Sequence, residues 1–123
     1  MIQFKEPRLL EEWETKAHPM LRAVVMEAED FATKQFNSDM TITCIVRTPE
    51  ENAADGGLPQ SAHLTGRAAD IRLLKTSDQC QAFVEHLVKT WGPIVCALVH
   101  NGGTGPHIHV NVNKGSATPW QIG

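Results

Sequence analysis

The chain has no block of lysine or arginine, and no stretch approaches the roughly 20 apolar residues of a membrane span. Eleven basic residues against fourteen acidic ones leave a formal charge of −3, which argues against a broad electrostatic grip on nucleic acid or an anionic membrane. A small or mixed-charge substrate suits it better. The amino terminus, MIQFKEPRLLEEWETK, carries Lys5, Glu6 and Arg8 without an apolar core of its own, so it does not read as a secretory signal. Synthesis in the cytoplasm is expected. Cysteine is scarce too: Cys44, Cys80 and Cys96 make an odd count with no CxxC spacing, and each reads as a reduced residue of core or helix with no ligand role.

What is present suits one globular domain over residues 1–123, with 41% hydrophobic and 20% charged residues and enough chain to bury about 65% of its unfolded surface. From Pro7 to Asn37 the apolar residues Leu9, Leu10, Trp13, Leu21, Val24, Val25, Ala28 and Phe31 recur at helical steps. The run predicts two helices broken at His18-Pro19, because a residue before proline is pushed out of the helical region. Met40 to Val46 is β-branched and alternating, hence a strand. Glu50 to Ser61 reads as a long loop, of a length usually tied to function or mobility. Ala68 to Leu74 is a second strand, and Ser77 to Trp91 a helix with Ser77 as its cap, stopped by Gly92-Pro93. Ile94 to Val99 and His107 to Val112 then form a hairpin about the turn Asn101–Pro106, and Lys114 to Gly123 reads as irregular. These elements predict an α+β domain with a mostly antiparallel sheet flanked by helices.

The chemistry sits in the histidines. Six residues separate His63 from Asp70, with Gly66 between them to permit a bend from loop into strand. His107 and His109 are two apart on a strand, so both rings face the same way. A histidine, a carboxylate and a second histidine converging from neighbouring strands, with a fourth position left for water, is the donor set of an open zinc site. The lack of clustered carboxylates speaks against calcium. Asp70 is the strongest member, since a carboxylate inside AADIRLL is costly unless paired, hydrogen-bonded or bound to metal.

At these residues the chain resembles a known family. Arg47-Thr-Pro-Glu-Glu-Asn52, Gly56-Gly57 and Ser61-Ala-His-Leu-Thr-Gly-Arg-Ala-Ala-Asp-Ile71 are similar to the SxHxxGxAxD signature of the M15 group of D-alanyl-D-alanine carboxypeptidase-like zinc peptidases, which includes bacterial cell-wall enzymes and phage proteins and shares its fold with the hedgehog signalling domain. His107-Ile-His109-Val resembles the group's terminal HxH strand, and the resemblance runs in order from Thr41 to Val112. It implies that His63, Asp70 and His109 hold one zinc ion, the choice of His109 over His107 resting on the family's strand pattern alone. It also implies a place for Arg47 near the substrate carboxylate or developing oxyanion, where its fixed charge and fork geometry serve. Ser61 would support the metal loop, and Arg67 receives no role.

The reaction implied is zinc-assisted hydrolysis of peptide bonds in peptidoglycan stem peptides, either as a carboxypeptidase on a D-Ala-D-Ala end or as an endopeptidase. Family peptidases commonly place a glutamate a few residues before the last histidine, but Leu98 to Pro106 contains no Asp or Glu. Three repairs stand open: His107 as general base or transition-state donor, a loop acid among Glu50, Glu51 and Asp55, or no base at all. In the last case the chain is a catalytically weak metal-binding module of a phage or cell-wall assembly. As an enzyme it would act at the cell wall or periplasm after lysis-type release, with a holin-type export partner, or as part of a virion.

Overall fold

The computed structural model describes residues 2–54, 62–73, 75–102 and 105–112. Asp55, Gly56, Gly57, Ser61, the middle of the 101–106 turn and the tail after Val112 lie outside the described residues. In chain order the elements are β1 (Ile2–Phe4), α1 (Pro7–Thr15), α2 (Pro19–Phe36), β2 (Met40–Cys44), α3 (Pro49–Ala54), a 3-10 turn (Ala62–Thr65), β3 (Ala68–Arg72), α4 (Ser77–Trp91), a second 3-10 turn (Gly92–Ile94), β4 (Val95–Gly102) and β5 (Gly105–Val112).

The expected break between the first two helices is there. Pro19 opens α2, where its missing N–H and fixed φ cost nothing. The His18 ring caps it, Nδ1 accepting from the Met20 N–H at 3.1 Å. Leu21, Val24, Val25, Ala28 and Ala32 are its buried stripe. The α2 helix stops at Asn37 in the left-handed region (φ 50), a conformation asparagine tolerates better than most residues. For α4 the cap is Thr76 rather than Ser77: Thr76 Oγ1 accepts from the Gln79 N–H at 3.2 Å, and Gln79 Oε1 accepts from the Thr76 N–H at 3.1 Å. This reciprocal pair satisfies two N–H groups that no helical carbonyl can reach.

The α+β architecture is as expected, but the five-stranded sheet is mixed rather than mostly antiparallel in design. Its order is β1-β2-β3-β5-β4, with β1 parallel to β2 and the other three pairings antiparallel. The parallel pair exists because Ile2–Phe4 forms a strand that α1 and α2 then return to β2, and three residues are too few to show alternation. Part of the expected long loop is helical, as α3. The hairpin arms also run further than expected, to Gly102 and from Gly105.

One face of the sheet forms the core with α2 and α4. Met40, Ile42, Ile71, Ile108, Val110 and Val112 meet Leu21, Val25, Phe83 and Leu87 there, all essentially without solvent exposure. On the far side of the helix pair, Glu27 of α2 binds the His86 ring (2.8 Å) and accepts from the Trp91 indole N–H (3.2 Å), both from α4. The other sheet face carries Thr41, Asp70, Arg72, Leu98, His107 and His109, none of them fully buried. Among the described residues no helix is long and apolar enough to cross a membrane.

Candidate metal centre

Strand register builds this centre around Asp70. It stands opposite His109 on β5 and, on its other side, opposite Cys44 on β2. The pairing passes from Ile42↔Ile71 to Cys44↔Asp70, so β2 spends one extra residue, Thr43, in a bulge. Such an insertion re-aims the following side chains. It lets Ile42 and Ile45 both reach the core (each 0% exposed) while Cys44 lies beside the carboxylate.

His63 arrives from the 3-10 turn, and its ring is 2% exposed. What steers it is Gly66, at φ +70. A Cβ there would lie 2.2 Å from the Lys16 carbonyl oxygen, so no other residue fits this approach to the corner between α1 and α2. The corner holds the turn in return, since the His18 N–H donates to the Gly66 carbonyl at 2.8 Å. Arg67, given no role from sequence, closes the other side: its guanidinium donates to the Val112 carbonyl (3.1 Å), and its own carbonyl accepts from the Val112 N–H (2.9 Å).

Of the five residues singled out by sequence, the structure brings three, His63, His109 and Arg47, onto the carboxylate of a fourth, Asp70. Asp70 Oδ1 lies 3.2 Å from His63 Nε2 and 3.2 Å from His109 Nδ1, and Oδ2 lies 3.4 Å from an Arg47 guanidinium nitrogen. Each imidazole is held from behind by an oxygen. His63 Nδ1 donates to the Ile45 carbonyl at 2.8 Å, and His109 Nε2 lies 3.0 Å from Asn111 Oδ1. The two rings meet edge to face, 5.3 Å apart.

Protonation follows from this packing. Burial works against a charged His63, but the hydrogen bond to Asp70, the contact with Cys44 and the carboxylate's charge outweigh it and raise the ring to about 9. Burial would likewise raise Asp70. The hydrogen bonds from His109 and His63, with their charges, overcome it and hold the carboxyl well below the usual carboxylate range. Without a metal the centre is an ionised pair of carboxylate and imidazolium, backed by Arg47.

The donor types of His63, Asp70 and His109, and their two nitrogen–oxygen spacings, fit zinc. Two imidazole nitrogens and one carboxylate oxygen are the ligand types zinc takes, and bonds of roughly 2.0–2.1 Å in a tetrahedron put donors about 3.3 Å apart, against the 3.2 Å found for both nitrogen–oxygen pairs. The donor atoms that all lie within 4.8 Å of one another are those of Cys44, His63 and Asp70, which share two groups with this set. Cys44 Sγ also lies 3.8 Å from His63 Nδ1, the nitrogen committed to Ile45, so the thiol borders both the imidazole and the carboxylate and is a candidate donor beside His109.

His107 shares the sheet face but not the cluster. Arg72 donates to its Nε2 at 3.3 Å, and its ring stacks on His100 at 5.8 Å. A guanidinium only donates, so Arg72 occupies His107 Nε2 as an acceptor. Glu51 is spent elsewhere, in a reciprocal cap with Thr48 (3.0 and 3.1 Å) and 3.7 Å from Arg8. Glu50 is exposed on α3.

Sequence reasoning missed three contributors. Cys44 was read as a core residue, and only the bulge brings it to the site. Cys96, read the same way, is exposed on β4. Arg72 carries no motif signal, although its place two residues after Asp70 puts it on the same face by alternation. Asn111 had the same signal, two residues after His109.

The chain matches the family described as Peptidase M15 over residues 9–111. A search of curated proteins gives no match.

Proposed function

The chain belongs to the Peptidase M15 family, and from that premise we propose that it is a zinc peptidase of the D-alanyl-D-alanine carboxypeptidase-like type, cleaving peptide bonds in peptidoglycan stem peptides. Family membership makes it a metallopeptidase at the coarse level. The observation that supports the zinc reading is Asp70 Oδ1 shared between His63 Nε2 and His109 Nδ1, with Arg47 on Oδ2; the stem-peptide substrate rests on the resemblance of the Ser61–Asp70 signature. His63, Asp70 and His109 would hold the ion, and the chemistry it would supply there is Lewis acidity toward the scissile carbonyl and toward an attacking water near neutral pH.

The other groups of the centre hold and orient. Arg47, anchored on Asp70, presents a fixed cation for the substrate carboxylate or the developing oxyanion. His107 cannot take a proton at Nε2 while Arg72 donates there. It serves instead as a donor through Nδ1, which narrows the two roles open to it from sequence.

A competing reading, a metal-binding interaction module with little catalysis, is favoured by a specific observation. Leu98 to Pro106 supplies no carboxylate, and His107 has its Nε2 occupied by Arg72. Incubating the zinc-loaded protein with purified peptidoglycan and following released stem peptides by mass spectrometry separates the two. Release above the His63→Ala background is expected, with His107→Ala slower by about 100-fold, as for loss of one oxyanion donor. Stoichiometric zinc without any release would leave the module and sink the peptidase.

A further inference from the structure

Two imidazoles face Asp70 through different nitrogens, and the reason lies behind the rings. His63 gives its Nδ1 proton to a main-chain carbonyl, which leaves Nε2 toward the carboxylate. His109 is turned the other way: Nδ1 faces Asp70, and Nε2 faces Asn111 Oδ1. An amide oxygen only accepts, so His109 Nε2 must carry a proton. With a cation at Nδ1 in place of the proton now facing Asp70, the one N–H the ring keeps is the Nε2 proton that Asn111 accepts. Alternation along β5 makes this possible, since residues 107, 109 and 111 share one face and Ile108, Val110 and Val112 go to the core.

We propose that Asn111 is the positioning residue that makes His109 a ligand through Nδ1, and that its neutral amide holds the metal less tightly than a carboxylate in its place would. This rests on the reading that His109 binds the metal. The difference from His63 is that a main-chain carbonyl comes with the fold, whereas the Asn111 acceptor is a side chain and can be changed alone. An acceptor behind a ligating histidine fixes its ring and tautomer, and its loss typically costs 10–100-fold in metal affinity. A carboxylate there would also make the ring more basic and strengthen the bond to a cation. Asn111 is only half-buried, so either change can be made without opening the core.

The experiment measures zinc affinity by chelator competition for wild type, Asn111→Ala, Asn111→Asp and His109→Ala, and records which His109 nitrogen bears the proton by 15N NMR of the zinc-loaded wild type. The expected results are a roughly 10–100-fold loss for Asn111→Ala, affinity above wild type for Asn111→Asp, and a proton on Nε2. Asn111→Ala within twofold of wild type while His109→Ala binds poorly would overturn the role of Asn111 and leave the metal site standing. If His109→Ala also binds like wild type, the ligand assignment falls with it. Should Asn111→Ala not fold, a proton found on Nδ1, or a tenfold weaker Asn111→Asp, overturns the proposal independently.

Discussion

The two faces of the sheet are built from alternate residues of the same strands and follow opposite rules. On the helix side Ile71, Ile108 and Val110 are sealed from water and make no polar demands. On the other side their immediate neighbours Asp70, His107 and His109 hold a partly buried carboxylate amid rings and guanidinium groups. Stability comes from the first face by removal of apolar area from water. The second face invests in charges whose desolvation offsets much of their attraction.

The comparison breaks most directly at Asp70. Asp70→Asn is expected to lower zinc affinity by more than about 100-fold, beyond the effect of losing an outer partner, while the metal-free protein still unfolds cooperatively. Competition with a chelator and a urea titration measure the two halves. A variant that binds zinc normally, or fails to fold at all, would mean that the faces are not separable.

The converse change is Phe83→Ala in the helix-side core, where the ring is fully buried. It should cost about 3–5 kcal/mol of unfolding free energy, seen as a lower urea midpoint with zinc affinity of the surviving fold unchanged. A large loss of affinity would show strain passing through the sheet from one face to the other.

The smallest effect is in pH. His63 is raised to about 9 in the metal-free fold, so its contribution to stability is fully present below its unfolded pKa of about 6.5 and is lost as pH rises through about 9. Asp70 is shifted down, so its contribution is present above about 3.9 and fades as pH falls toward its depressed folded value. The metal-free protein should therefore weaken between about pH 6.5 and 9. Zinc must displace the His63 proton, so binding at pH 7 releases about one proton, measurable by calorimetry in buffers of different ionisation enthalpy. Loss of the pH slope in a stable His63→Gln variant would assign it to this ring.

What could be read in the sequence was whatever repeats along a strand or helix. Asp70 stands out as a carboxylate in an apolar strand and His63 lies one glycine bend away, so their meeting was legible from the residues, whereas His109 was separable from His107 only through the family's strand pattern. The helix-side core was legible for the same reason, through the spacing of Leu21, Val24, Val25 and Ala28. What failed to show was whatever breaks a period or is too short to have one. The bulge at Thr43 shifts Cys44 by one place, and alternation counted through it sends that thiol to the wrong face. β1 has three residues beside a charged segment. Arg72 was hidden differently: its place was implied, but its grip on His107 depends on where a long flexible side chain lands.

The carbonyl and the missing side chain of Gly66 fit the turn bearing His63 against Lys16 and His18, so the helical corner acts as a mould in which one candidate ligand is cast. Substitution or deletion around that corner, more than 40 residues upstream of the turn, would misplace an imidazole it never touches. Engineering of the amino-terminal helices is therefore engineering of the metal centre.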